Sequence, residues 1–439
     1  MINPKATGIL ASSMLISLAF AGRMNDIAKR REFMNPNLSY HQTRQEQIQV
    51  RDTSGFRFLS NDTRQYLVKS LPEFPFDIGE INKSRALFYL FRPTVGCSSL
   101  EGFFQANGLF TWGWGQYAPE NPYPWVNLTN VLWIEQPEIF GISDLKIYVT
   151  RESYAGRYVP FISSDMLDRN DAKHFDLSGI YSGEQIPAVP FVLNNNNLLN
   201  LDAFFLSDLE SLYKSCGYAT FWEEFLTFPV SGIQPPQYFN FTSMAGLYKV
   251  NSCFNVYQIN MLCPPLSDPL GYPTDLRYET VGPAVYFNRP DVKAAMHAPM
   301  NVHWPYYSDK VFVGEGGPQD EGDLSADPIQ YVLPKVIEAI DRVLVSNGNL
   351  DFSIITNGTL LAIRNMPIVI DLPELPYKAA FEHMGLEYLL DPQGVMGVQH
   401  YERGLMWAET FPSGHMQPQF QPRTSYRHLQ WVLGRIETL

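Results

Sequence analysis

Cysteine is scarce: Cys97, Cys216, Cys253 and Cys263 are the whole supply in 439 residues. None stands in a C-x-x-C pair and no H-E-x-x-H occurs, so the usual sequence signs of a metal site are missing. Positive charge is also short. Lys and Arg number 32 against 45 Asp and Glu, a formal net charge of −13, and no long basic run is present. A nucleic-acid binder needs a basic surface to displace counterions from phosphates, and this composition excludes one. A run apolar and long enough for a comfortable membrane span is lacking too. Residues 7–21, TGILASSMLISLAFA, follow Lys5 and carry small residues at Ala19 and Ala21. A positive start, a short apolar core and small residues at its end predict a secretory signal over 1–21.

Other features agree with a secretory route. Asn37, Asn61, Asn82, Asn127, Asn240 and Asn357 each open an N-x-Ser/Thr triplet. The four cysteines are even in number and permit three full pairings. Hydrophobic residues make up 45% and charged residues 18%, a globular balance with ample material for a core. The length suits two or three domains, or one large α/β domain with an insertion. The organisation expected is a surface segment over 22–75, the two parts of an α/β domain over 76–204 and 301–439, and an insertion over the sheet at 205–300. That insertion mixes aromatics, prolines and three of the four cysteines.

Short apolar runs mark the strands: 86–91 (ALFYLF), 131–135 (VLWIE), 145–150 (LKIYVT), 342–346 (RVLVS) and 404–411 (GLMWAETF). Such runs fit central strands of a mostly parallel sheet, buried on both faces. An amphipathic helix is predicted over 425–436, with Leu429, Val432, Leu433 and Ile436 on one side.

Three of these runs lead into chemistry. LKIYVT passes directly into Arg151-Glu152-Ser153-Tyr154-Ala155-Gly156, a serine on a strand-to-helix turn, as in the nucleophile elbow of α/β hydrolases. After RVLVS comes Asp351, and after GLMWAETF a Ser413-Gly414 turn leads to His415. Serine, acid and histidine follow in the α/β-hydrolase order. Each lies just past the C-terminal end of a predicted strand, where active sites of open parallel sheets collect.

With these segments in place the chain resembles the serine carboxypeptidase family, in particular its filamentous-fungal members. The resemblance rests on ESYAGRYVP at 152–160, GCSSL at 96–100, ERGL at 402–405, GHMQP at 414–418 and WVNLTNVLWIEQP at 125–137. It implies an α/β-hydrolase fold with helices on both faces of the sheet and a helical or irregular cap at 205–300. It implies a serine-type carboxypeptidase that needs no cofactor and takes peptide or protein C-termini as substrate. Ser153 would be the nucleophile, His415 the base and Asp351 the acid that fixes the imidazole. The Tyr154 N–H would be one oxyanion donor and that of Thr94 the other. Glu152, as a protonated carboxyl, and Arg92 would hold the substrate's terminal carboxylate.

The chain departs from the family in places. Pro93 and Thr94 stand where the family has two consecutive glycines, and proline offers no N–H. Arg92 replaces an asparagine, Ala106 a common glutamate, and Arg151 the glycine two before the nucleophile. Tyr307 stands where a family cysteine would pair with Cys97. The nine residues 136–144 between VLWIE and LKIYVT are too few for the helical crossover that adjacent parallel strands need, so a gap or a distorted connection is expected there. These departures keep two other readings open: a non-catalytic relative, and an acyltransferase on the same scaffold.

Overall fold

The computed structural model describes residues 68, 70–72, 88–90, 101–112, 119–129, 131–134, 146–150, 152–153, 155–169, 176–181, 189–215, 217, 219–220, 247, 254–261, 286–304, 325–340, 342–364, 366, 379–382 and 394–439. The expected signal, all four cysteines and the 136–144 link lie outside them, as does the expected surface segment apart from residues 68 and 70–72. The chain divides into two compact units, one of Met1–Glu138 with Leu262–Asp323, the other of Ile139–Met261 with Leu324–Leu439.

In the first unit, β1 (Phe88–Leu90) and β2 (Leu132–Ile134) pair in parallel. An aromatic core fills this unit. Phe103, Phe104, Phe110, Trp112 and Phe287 are buried, and their rings meet edge-on or tilted at centroid distances such as 4.6 Å for Phe103–Phe104 and 5.4 Å for Phe104–Phe287. Trp112 is part of this core.

The second unit holds a six-stranded sheet of order β3-β4-β5-β8-β7-β6. Its strands are β3 (Lys146–Tyr148), β4 (Asp176–Tyr181), β5 (Val343–Gly348), β6 (Ala379–Glu382), β7 (Val395–Glu402) and β8 (Leu405–Thr410). β3, β4, β5 and β8 run parallel, whereas β7 and β6 are antiparallel, so the sheet is mixed. Strand β4 mixes polar and apolar residues, β7 turns polar after its first half and β6 offers only three apolar residues, which is why the sequence pattern passes over them. β7 and β8 form a hairpin whose Glu402 and Leu405 are register partners. The two residues between, Arg403 and Gly404, have φ of 49° and 89°. This is the left-handed backbone that a tight two-residue hairpin requires, and it gives the ERGL block a structural meaning.

Alternate side chains of β5 and β8 serve opposite faces. Val343, Val345, Leu405 and Trp407 pack with Val159 and Met166 of α1 (Ala155–Asp168), Val336 and Ile337 of α3 (Leu333–Ile340), and Leu360 and Ile363 of α4 (Thr356–Arg364). A further helix, α2 (Ala203–Ser215), lies between α1 and α3 in the chain. On the other face, Leu344, Met406 and Ala408 meet Trp431 and Val432 of α5 (Pro422–Val432). Helices thus cover both sides of these two strands, and β5 is buried along its whole length.

Two sequence expectations need correction. Among the described residues LKIYVT does not form a central strand: β3 stands at the end of the six-stranded sheet, with Lys146 exposed and Ile147 and Tyr148 half-buried. Among the described residues β2 pairs with β1, and no strand pairs with the outer side of β3. The C-terminal helix begins earlier and ends earlier than predicted. Pro422 suits the first helical turn, where its missing N–H costs nothing. Gly434, at φ 69°, ends it: its N–H donates to Trp431 O and that of Arg435 to Gln430 O, a Schellman closure.

Candidate active site

The site builds on three strand ends of the second unit. β3 leads into Ser153, which sits at φ 60°, a left-handed conformation that a non-glycine residue rarely adopts. The Gly156 N–H donates to Ser153 O at 3.0 Å and α1 begins at Ala155, so strand, sharp turn and helix follow within a few residues. This is the geometry that lifts a nucleophile above a sheet. Glu152 and Ser153 are both half-buried.

β5 and β8 are adjacent and parallel, and their C-terminal ends carry the other two residues. Asp351 is buried, and both of its carboxylate oxygens are engaged. Oδ1 accepts from the N–H groups of Ser353 and Ile354 at 2.8 and 2.9 Å. Oδ2 lies 2.7 Å from His415 Nδ1. With Nδ1–H facing a carboxylate, the neutral ring carries its lone pair on Nε2. Nε2 is buried and makes no hydrogen bond to the described residues. The structure therefore joins Asp351 to His415. It places Ser153 on its elbow in the same unit without a hydrogen bond to Nε2, a contact that often tightens only when substrate is bound.

The loops are held closely. Leu350 N–H donates to Ser413 O at 2.7 Å and Ser413 N–H to Asn349 Oδ1 at 3.2 Å. Gln417 Oε1 accepts from Ser346 of β5 at 2.9 Å and from Thr410 of β8 at 2.7 Å, tying the two strands just after His415. A side chain at Gly414 would overlap the carbonyl of Tyr257, and one at Gly348 the carbonyls of Ser413 and Gly414. Backbones approach here closely enough to demand glycine. Gln417 was missed from the sequence, although it occupies the open position of the GHMQP block. Tyr257 and Asn349 gave no sequence signal.

The remaining candidates divide. Tyr154, Thr94, Arg92, Pro93, Arg151, Cys97 and Tyr307 lie outside the described residues. Ala106 is buried in the first unit. Of the other histidines, none of them a site candidate, His400 lies on β7 with Nε2 3.3 Å from Glu402 Oε2, His428 is buried, and His297 and His303 are exposed. Among the described residues no group of His, Cys, Asp and Glu could hold a metal ion, and no helix is long and apolar enough to cross a membrane.

The chain is similar to known proteins. The family described as serine carboxypeptidase matches residues 95–144 and 142–435. Serine-type carboxypeptidase F of Aspergillus niger is 45% identical over an alignment covering 99% of this chain and 99% of that protein. A probable serine carboxypeptidase of Arthroderma benhamiae is 32% identical, covering 87% of this chain and 88% of that one. A solved prohormone-processing carboxypeptidase from Saccharomyces cerevisiae superposes with a TM-score of 0.50 at 17% identity, over 80% of this chain and 83% of that one, a likeness of fold. The two matched stretches of the family meet at 142–144, inside the short link. The alignment with the Aspergillus protein runs to 535 positions against 439 residues here, so that relative carries residues this chain lacks. Neither the non-catalytic reading nor the acyltransferase reading gains support from these likenesses. A family match over most of the chain and close identity along nearly all of it lead to one conclusion: the chain belongs to the serine carboxypeptidase family.

Proposed function

We infer that this serine-type carboxypeptidase releases the C-terminal residue of a peptide through an acyl-enzyme on Ser153. The observation that carries the reading is the buried Asp351–His415 pair at 2.7 Å, with Nε2 making no hydrogen bond to the described residues. Nε2 takes the proton as Ser153 Oγ attacks the scissile carbonyl. The resulting imidazolium, stabilised by Asp351, protonates the leaving amino group, and the acyl-enzyme forms as the peptide C–N bond breaks. Water, deprotonated by Nε2, then attacks the ester carbonyl; the C–Oγ bond breaks, the shortened peptide leaves with a new carboxyl group, and the imidazolium returns its proton to Ser153 Oγ. The Tyr154 and Thr94 N–H groups serve as oxyanion donors, and Glu152 with Arg92 holds the terminal carboxylate. The 205–300 segment serves as the cap, and the chain follows the secretory route by way of residues 1–21. Asn127, exposed on a short helical turn, is a glycan acceptor accessible in the folded chain.

The test is release of free amino acids from blocked dipeptides. Ser153→Ala, Asp351→Ala and His415→Ala should each abolish nearly all of it, and double replacements should add little, because the three act as a unit. A Ser153→Ala variant as active as the parent would refute the nucleophile. Glu152 can donate to a carboxylate only when protonated. Peptidase activity should therefore fall as pH rises above the mildly acidic range, while activity on esters, which lack the terminal carboxylate, persists. Parallel pH profiles for the two substrates would remove Glu152 from this role.

A further inference from the structure

The stretch 254–261 belongs, by sequence, to the segment expected to cover the sheet, and nothing in its composition points to catalysis. In the structure it bridges the two loops that carry the acid and the base. Val256 O accepts from Phe352 N–H at 2.8 Å and Ser353 N–H at 3.1 Å, immediately after Asp351. Ile259 N–H donates to Leu350 O at 3.2 Å, immediately before it. Between these two bonds, Tyr257 O accepts from the N–H of His415 itself at 2.7 Å. The Tyr257 ring stands 5.0 Å from the imidazole, centroid to centroid, with the planes inclined at 50°.

The bridge is itself rigid. Tyr257 N–H donates to Asn255 Oδ1 at 2.9 Å, Gln258 N–H to Asn255 O at 3.2 Å and Met261 N–H to Gln258 O at 3.1 Å. Asn255 Nδ2 reaches Met261 S at 3.0 Å. Phe254, Asn255 and Ile259 are buried, and the Phe254 ring packs edge-on against Phe352 at 5.3 Å. Main-chain bonds to both loops thus run through one inflexible stretch, so the spacing between Asp351 and His415 is fixed from outside the sheet as well as by it.

We propose that 254–261 is a clasp across the acid and histidine loops, and that Tyr257 is a positioning residue whose ring fixes the attitude of the His415 imidazole. The proposal rests on the triad reading above. One hydrogen bond, from Nδ1 to Asp351, holds one edge of the buried ring and by itself leaves freedom of tilt about that contact. A flat neighbour on one side removes the freedom and aims Nε2. The tolerance for such aim is small: a misplacement of about 1 Å can cost about 100-fold in rate.

The experiment compares Tyr257→Phe and Tyr257→Leu with the parent, reading kcat and KM on a blocked dipeptide and the rate at which a fluorophosphonate labels Ser153. Tyr257→Phe keeps the ring and should keep the parent's kcat and labelling rate. Tyr257→Leu should lower kcat by about 10- to 100-fold with KM unchanged, and slow labelling by the same factor, because labelling needs the base but no substrate contacts. If Tyr257→Leu does not fold, Tyr257→Met fills similar space without a flat face and takes its place. A raised KM with unchanged kcat would overturn the proposal, since Tyr257 would then be a wall of the substrate site. Equal losses in Tyr257→Phe and Tyr257→Leu would also overturn it, because the hydroxyl would be the working part. Equal labelling of Ser153 in all variants would sink this proposal alone. An active Ser153→Ala variant would sink the triad reading together with it.

Discussion

Asp351 divides its carboxylate between two tasks. Oδ1 holds its own turn through the N–H groups of Ser353 and Ile354, and Oδ2 holds His415. An amide in its place must keep an oxygen toward the two N–H donors, which turns its NH2 toward Nδ1. A donor facing Nδ1 forces the ring proton onto Nε2, and the base is lost while the shape remains. Asp351→Asn should therefore lower kcat by about 10,000-fold with an unchanged far-UV spectrum and melting temperature. Gly414→Ala should fail differently. Its methyl would press on the Tyr257 carbonyl, which should cost about 1–3 kcal/mol of stability, read as a lower urea midpoint, together with activity. Both residues stood out in the sequence because their chemistry demands one residue type in one local motif. Tyr257 did not, since its closest contact with His415 is made by a carbonyl that every residue possesses.

Strand β8 and helix α4 meet at Glu409 and Thr356. Thr356 Oγ1 donates to Glu409 Oε1 at 2.7 Å. The register neighbours of Glu409 on β5 and β7 are Asn347 and Val398, neither of them charged. Part of the residue reaches the surface, but burial of the carboxyl raises its pKa above the ordinary glutamate value, and the Thr356 hydrogen bond only partly offsets this. The proton is bound more tightly in the folded chain than in the unfolded one. The stabilisation is thus complete below the unfolded value and is lost as pH rises through the folded one. Glu409→Gln keeps an acceptor for Thr356 and cannot ionise. It should match the parent's melting temperature at pH 4 and exceed it at pH 8, by about 2–4 °C for each kcal/mol. An equal difference at both pH values would show that ionisation plays no part. This element also shows what the sequence could convey. β5 and β8 were visible as apolar runs because helices cover both their faces. β4 and β7 were not, because DLSGIY and VMGVQHYE interleave polar residues with apolar ones. The helix ends moved because Pro422 and Gly434 govern them through backbone geometry, while the predicted span followed the apolar stripe.

For the whole molecule the order of strands matters more than their number. The short 136–144 link separates two runs that pattern alone would set side by side, and among the described residues β3 closes the six-stranded sheet at one end. An unsatisfied strand edge is a template on which other chains can add, and half-buried Ile147 and Tyr148 would favour such addition. Three features of β3 work against it. The strand is only 3 residues long, its register slips between Ile147 and Tyr148, and the exposed Lys146 places a charge on it. A growing ribbon would have to bury that ammonium and follow an irregular ladder. Lys146→Val should therefore leave catalysis unchanged in fresh dilute samples, yet produce thioflavin-positive, sedimenting material on storage at high concentration, where the parent stays in the supernatant. Colloidal endurance in this enzyme would then depend on one lysine within its nucleophile strand.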